Sequence, residues 1–489
     1  MNNVLEYLTA ATEQRPEHIA VADKERQLTY RELADGAACI GSLLSGYGPD
    51  APIGVFADRS VETPLMFMGV LWSGNYYVPL DPDLPEEKLY KIIHDSGMQA
   101  ILDHAPGRSL PAGTEAVRVY TPADIPSEKA PFPTVGGESP IYMVYTSGST
   151  GMPKGVKKSH RAVLSFAEAY VPTFGFTPDE IIGNQSPFFF DASAKDLYLM
   201  LRLGATMEII PSEHFSFPPV LIRYLNERRI TFISWVPSAL CIVTQLNTFT
   251  EVVPETVKKV FFVGETFPMK HFLKWQKALP QIEYVNLYGA TELSGISCYY
   301  RVTGDVSGLD TLPIGKPLSN CRVFLMDGDQ VITEPHHPGE IHIISQALAS
   351  EYHNDPEKTA HAFIEMNGER VFRSGDIAWY DEEGNLHFAA RNDSQIKHMG
   401  YRIELGEIEA VAGKLPGLER VCCLYNHERQ KIVLFVTLEA GSDLDSKKIR
   451  QQLKGILTDY MRPQKVIIKD SFPMNANGKI DRQKLKLEL

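Results

Sequence analysis

Between residues 145 and 155 the chain reads Tyr145-Thr146-Ser147-Gly148-Ser149-Thr150-Gly151-Met152-Pro153-Lys154-Gly155. Four aliphatic hydroxyls, three glycines and one lysine fall within these eleven residues. Glycines let backbone N–H groups approach an anion, hydroxyls donate further hydrogen bonds, and a lysine supplies charge. The composition therefore suits the wrapping of a phosphate chain. The spacing is not that of a Walker A motif, because no Gly-Lys-Ser/Thr follows Gly148 at the required distance. A flexible Ser/Gly surface loop is the plainer alternative, against which stand Pro153, Lys154 and the strand-like apolar run at 141–144.

Three more segments carry chemistry-bearing side chains, and each also has a plain structural reading. Asn286-Leu287-Tyr288-Gly289-Ala290-Thr291-Glu292 follows an apolar run. It offers a ring face for a base at Tyr288 and an oxygen ligand for a hard cation such as Mg²⁺ at Glu292. A strand-end turn with an exposed acid would read the same way. Arg373-Ser374-Gly375-Asp376 ends in a carboxylate able to accept from a ribose diol, or is a simple β-turn. Asn475-Ala476-Asn477-Gly478-Lys479-Ile480-Asp481-Arg482 is a turn by its Asn-Gly chemistry, with Lys479 at the tip.

These residues must be positioned by a large scaffold. A chain of 489 residues is too long for one core and predicts a large domain with at least one smaller companion. Its composition, 44% hydrophobic and 22% charged, is that of a globular protein. The net charge of −13 argues against nucleic-acid and anionic-membrane surfaces. Six cysteines without a CxxC pair or zinc-like spacing read as reduced, mostly buried thiols. No signal peptide and no membrane-length apolar stretch is visible, so a soluble cytoplasmic protein is expected.

Short apolar runs at 53–56, 99–102, 207–210, 232–235 and 260–263 alternate with helical patterns at 61–73, 86–96, 220–228 and 269–279. This rhythm predicts α/β architecture, with mostly parallel sheets covered by helices. The texture changes near residues 390–400. Beyond it, helical patterns at 404–415 and 447–457 and strand patterns at 421–425, 431–436 and 466–468 predict a compact α+β domain. The boundary is placed at Arg391-Asn392-Asp393-Ser394, giving domains 1–392 and 393–489.

Taken together and in order, these motifs resemble the adenylate-forming enzymes, specifically the adenylation domains of nonribosomal peptide synthesis and the D-alanine:carrier-protein ligases. The resemblance also runs through Leu28-Thr29-Tyr30-Arg31-Glu32-Leu33, the segment at 74–82, and Phe190-Asp191-Ala192-Ser193. It closes with Arg391-Asn392-Asp393-Ser394-Gln395-Ile396-Lys397 and with the segment from Gly400-Tyr401-Arg402-Ile403-Glu404 to Glu409. It implies the adenylate-forming fold, a large N-terminal domain of mixed and parallel sheets with helices and a small mobile C-terminal α+β domain.

The resemblance also implies roles. Thr146, Ser147, Thr150 and Lys154, with Gly148, Ser149 and Gly151, hold the β,γ-phosphates of ATP. Asn286 and Tyr288 recognise and stack on adenine, and Gly264, Glu265, Leu287 and Gly289 belong to the same nucleotide site. Asp376 and Arg391 engage the ribose. Thr291 and Glu292 serve the α-phosphate and Mg²⁺, with Thr146 a second metal ligand. Lys479 reaches from the small domain to bridge the substrate carboxylate and the α-phosphate. Attack of a carboxylate on phosphate brings anions together, so cations and preorganised donors must offset the repulsion. No general base is needed, because the nucleophile is already ionised.

Asp191 is the acid that amino-acid-activating members pair with the substrate α-ammonium; the plain alternative is an N-cap for a helix at 195–203. By position the side-chain pocket is lined by Ala192, Lys195, Trp235, Phe261, Val263, Leu287, Gly295 and Ile296. Buried Lys195 demands an anion or strong acceptor, which points to an acidic amino acid. Equally, Lys195 pairs with a neighbour such as Asp196 or Glu208; both readings stand, with D-alanine or another small amino acid as the alternative substrate. The family's small domain rotates about a hinge, here Asp393. The rotation withdraws Lys479 and brings the face near Gly400 to the site. A thioester then forms on the phosphopantetheine of a carrier protein, or on coenzyme A. Nothing resembling a carrier domain follows Leu489, so a separate carrier is expected. Ala390 departs from the family's usual glycine before Arg391. A coenzyme A ligase and a non-catalytic nucleotide-binding protein are the readings from other classes.

Overall fold

The computed structural model describes residues 1–105, 107–147, 152–391, 395–427, 429–474 and 480–489. Two sheets dominate the large unit, one of nine strands and one of seven. Their inner strands run parallel; antiparallel partners close both edges of the nine-stranded sheet and one edge of the seven-stranded sheet, whose other edge strand, Arg118–Tyr120, is parallel. The expected runs form these inner strands, including Pro52–Phe56, Ala100–Leu102, Thr206–Ile209, Phe232–Trp235 and Lys259–Val263. The helices Glu62–Trp72, Glu86–Ser96, Pro218–Glu227 and Met269–Ala278 fall where the amphipathic patterns place them. A third sheet of six strands, drawn from residues 321–391, is antiparallel throughout.

Local chemistry sets several starts. Thr29 and Glu32 form a reciprocal capping box that opens the helix Tyr30–Leu43. Ser159 caps the helix His160–Phe174 directly after the strand Lys154–Ser159. The helix Asp191–Leu203 begins at Asp191 itself, with Phe190 in the cap position and no side-chain cap. Asp191 is therefore not the N-cap that its residue type also suggested, and its carboxylate is free for other work.

The largest core cluster includes residues of both major sheets. A second, holding Trp235 and Trp275, packs on the other face of the nine-stranded sheet. A third belongs to the small unit. That unit contains the hairpin Gln395–His398 and Tyr401–Glu404, the helix Leu405–Ala412 and a three-stranded sheet. The hairpin lies against the large unit. Tyr401 stacks on Tyr460 at 3.8 Å and meets Phe190 edge-on at 4.5 Å. Gly400 N–H donates to Glu265 at 2.9 Å, and Lys88 pairs with Glu407 at 3.0 Å. The expected boundary residues Asn392, Asp393 and Ser394 lie outside the described residues. All six cysteines are free. Among the described residues no helix is long and apolar enough to cross a membrane.

Candidate active site

A cavity opens where several strands of the two major sheets end. Its wall takes Thr146 and Ser147 from the end of Pro140–Thr146, Val236 after Phe232–Trp235, and Val263 with Gly264 from the end of Lys259–Val263. Gly289, Ala290 and Thr291 follow Glu283–Tyr288, and Asp191 opens its helix. The carboxyl ends of parallel strands are where open α/β sheets bind ligands, because the loops diverge there. Asp376 and Arg391 close the cavity from the antiparallel sheet, and Lys397, Gly400 and Arg402 from the docked hairpin.

On one side the expected ribose residues form a preassembled cluster. Arg391 donates to Asp376 at 2.6 Å, and the Tyr288 hydroxyl donates to the other carboxylate oxygen. Lys397 lies over the Tyr288 ring, 5.8 Å from its centroid. Burial pulls the Lys397 ammonium below its ordinary range. Asn286, expected at adenine, is buried and donates to Pro313 O at 2.7 Å; it does not reach the cavity wall. Glu265, assigned to the same nucleotide, accepts from Ser238 N at 3.0 Å and from Gly400 N. Its carboxylate thus holds the hairpin.

The phosphate side is shaped by the hairpin too. Ser147 donates to Arg402 O at 2.8 Å and accepts from Glu404 N at 3.1 Å. Thr146 keeps a buried hydroxyl with no partner among the described residues, a donor available to a ligand in the cavity it lines. Lys154 is 3.9 Å from Glu404, and its ammonium is depressed by burial and by nearby Arg402. Gly148, Ser149, Thr150, Gly151, Asp393 and Lys479 lie outside the described residues.

Glu292 departs most from expectation. It is fully buried; Tyr352 donates to one oxygen at 2.6 Å and Arg402 to the other at 2.6 Å. Burial alone would raise this carboxyl, but Arg402 and Lys154 beside it hold it far below the usual carboxylate range. With both oxygens occupied, Glu292 does not fit a Mg²⁺ ligand in this arrangement. No cluster of three or more His, Cys, Asp or Glu among the described residues supplies an alternative.

On the opposite side Asp191 lines the cavity. Its Oδ1 accepts from Tyr142 at 2.8 Å and lies 3.6 Å from the Lys158 ammonium. Burial raises the Asp191 carboxyl, and Lys158 and Tyr142 act against that rise. Lys195 also reaches the wall, but its ammonium is already met by Asp196 at 2.5 Å; Asp196 in turn accepts from Asn184 at 3.2 Å. Of the two readings of Lys195, the structure supports pairing with a neighbour.

Ala192, Val263, Gly295 and Ile296 line the cavity as expected of a side-chain pocket. Trp235 does not. Alternation along its strand turns it to the opposite sheet face, where its indole donates to Gly183 O at 2.9 Å and its ring meets Phe215. Ser234, its neighbour, takes the face shared with Phe232, and its hydroxyl is buried without a partner among the described residues. Phe261 is enclosed by Phe174, Phe176 and Phe232, and Leu287 lies within the same core; neither reaches the wall. Lys158 and Tyr142, beside Asp191, and Tyr352, on Glu292, were not among the residues expected here, and Lys397 and Arg402 were expected only as parts of motifs. Nothing local marks Lys158.

Residues 8–353 match the model of the family described as AMP-binding enzyme, and residues 407–479 match the AMP-binding enzyme C-terminal domain. A linear gramicidin synthase of Brevibacillus parabrevis is 32% identical over 97% of the chain, which spans only 9% of that relative's length. Zwittermicin A synthase ZmaJ of Bacillus cereus is 30% identical over 96% of the chain and 92% of its own length. Among solved structures, holo-PA1221, an NRPS protein containing adenylation and PCP domains, superposes with a TM-score of 0.87 at 25% identity. That superposition covers 100% of this chain and 84% of the other. With both family models matched in order along one chain, the protein belongs to the AMP-binding enzymes, among the adenylation domains of nonribosomal peptide synthesis.

Proposed function

We propose that this protein activates an amino acid with ATP, forming an aminoacyl-adenylate and releasing pyrophosphate, and passes the acyl group to the phosphopantetheine thiol of a carrier protein. One observation carries the reading: Asp191 lines the same cavity as the paired Asp376 and Arg391, so a carboxylate suited to an amine and a pair suited to a ribose share one chamber. Relatives such as ZmaJ and the adenylation and PCP domains of PA1221 support the same chemistry and the same kind of acceptor.

In this reading Asp376 and Arg391 hold the ribose, and Tyr288, which does not reach the cavity wall, orients Asp376 through its hydroxyl. Thr146, with residues 147–151 and Lys154, steadies the departing pyrophosphate. The carboxylate oxygen of the amino acid attacks the α-phosphorus, and the bond to pyrophosphate breaks. Lys479 and Thr291 offset the charge gathered there. No step is assigned to Mg²⁺, because Glu292 is committed to Arg402 and Tyr352. Asp196 supplies Lys195 with its anion, so an acidic substrate is not required. Ala192, Val263, Gly295 and Ile296 suit a small or apolar side chain instead.

ATP–pyrophosphate exchange over a panel of L- and D-amino acids tests the proposal. Exchange dependent on one or a few of them is the expected result. ATP binding with no exchange for any acid would favour a non-catalytic nucleotide binder. Transfer to coenzyme A in preference to a pantetheinylated carrier would favour the coenzyme A ligase reading.

A further inference from the structure

Asp191 does not wait in the cavity as a bare carboxylate. Lys158 stands on the strand Lys154–Ser159, paired in register with Tyr142, and its side chain is fully buried. Among the described residues its ammonium has no hydrogen-bond partner. The Tyr142 ring lies 6.0 Å away, and Asp191 Oδ1, at 3.6 Å, is the anion beside it. Glu292 also acts on Lys158 electrostatically, but both its oxygens are taken by Arg402 and Tyr352. Asp191 is thus the counter-ion that keeps a buried lysine in this core, since a buried charge must be paired.

This leaves Asp191 divided. Oδ1 faces Tyr142 and Lys158, while Oδ2 makes no hydrogen bond among the described residues, in a side chain that lines the cavity. A site meant only for a substrate ammonium gains nothing from a second cation on the same carboxylate. The two ammonium groups repel, and neither has the full charge of Asp191. A neutral hydroxyl donating to Oδ2 meets no such penalty and leaves the resident ion pair intact.

We propose that Lys158 is a specificity-determining residue: as a resident ammonium sharing Asp191, it sets the cavity to accept 2-hydroxy acids alongside the corresponding 2-amino acids. The inference rests on the acid-activating reading above. The reaction is the same for either acid, a carboxylate oxygen bonding to the α-phosphorus as pyrophosphate leaves. Asp191 and Lys158 only choose which acid is held.

The test is pyrophosphate exchange by the full chain, comparing kcat/KM for the best amino acid with that for its 2-hydroxy analogue. In the wild type the two should lie within about tenfold. A carboxylate left unpaired by the analogue would separate them by on the order of a hundredfold or more. Lys158→Met, which keeps length and removes charge, should shift the ratio at least about tenfold toward the amino acid. A wild-type preference above a hundredfold for the amino acid overturns the inference without any variant. An unchanged ratio in a Lys158→Met protein with wild-type near-ultraviolet circular dichroism also overturns it. Absence of exchange with any 2-amino or 2-hydroxy acid overturns instead the activity on which the inference rests.

Discussion

At Asp191 the fold leaves one oxygen committed and the other open, and the cost of removing the carboxylate follows from that. Asp191→Asn removes the negative charge facing both the substrate ammonium and Lys158; breaking such a buried pair costs about 3–5 kcal/mol. Exchange should fall by at least about a hundredfold while ATP binding, followed by calorimetry, survives. Undiminished turnover would remove Asp191 from the site. Two other buried groups act on stability with opposite sign. Burial pushes the Asp81 carboxyl up to about 6 from 3.8. Between those values the folded state binds the extra proton, so stability falls as pH rises, by about 3 kcal/mol in all. Burial depresses His160, which accepts from Val4 N, to about 4 from 6.5, so stability falls instead as pH drops through that window. The two largely cancel in the wild type. Denaturant melts of Asp81→Asn should show stability rising from pH 4 to pH 7, and those of His160→Gln should show it falling; parallel profiles for all three proteins would contradict both assignments. Neither these groups nor Lys158 was legible in the sequence. Nothing in Lys157-Lys158-Ser159 sets one lysine apart from the other, and the pairing with Tyr142 reveals that Lys158 points inward.

At the scale of elements, the hairpin at 395–404 does the most. It supplies Lys397, Gly400 and Arg402 to the cavity wall and occupies Glu292, Glu265 and Ser147. Gly400 makes the close approach possible, with φ +82° and a Cβ position that would fall 2.6 Å from Val236. Gly400→Ala should therefore loosen docking, the left-handed backbone alone costing about 1–2 kcal/mol. Amide exchange in residues 395–404 should speed up. Thioester formation should drop more than pyrophosphate exchange; equal losses would deny the hairpin a separate role. Helix and strand positions were largely legible because apolar periodicity and caps are local: the Thr29–Glu32 box sits in the motif itself. Which face a strand residue takes depends on its sheet partners. Trp235, chosen for its size, turned away from the cavity to pack against Phe215.

At the scale of the whole molecule, the large and small units meet around the cavity, and described residues of both line it. Part of the cavity wall was legible, as at Asp191, Asp376 and Arg391; the arrangement was not, because Arg402 and Glu292 are 110 residues apart and nothing local predicts that they pair. If the small domain turns about Asp393, fixing that residue's φ should separate the half-reactions. Asp393→Pro is expected to spare adenylate formation, read by pyrophosphate exchange, and to impair transfer to a thiol acceptor. Equal impairment of both would count against a hinge there. The docked hairpin also has an optical consequence. The four tryptophans are Trp72, Trp235, Trp275 and Trp379, and none lies beyond residue 379, so the small domain is dark to indole fluorescence. Tyr401, packed on Tyr460 and Phe190, marks the spot where a single added indole would report, by a change in its emission, any lifting of the hairpin from the large unit.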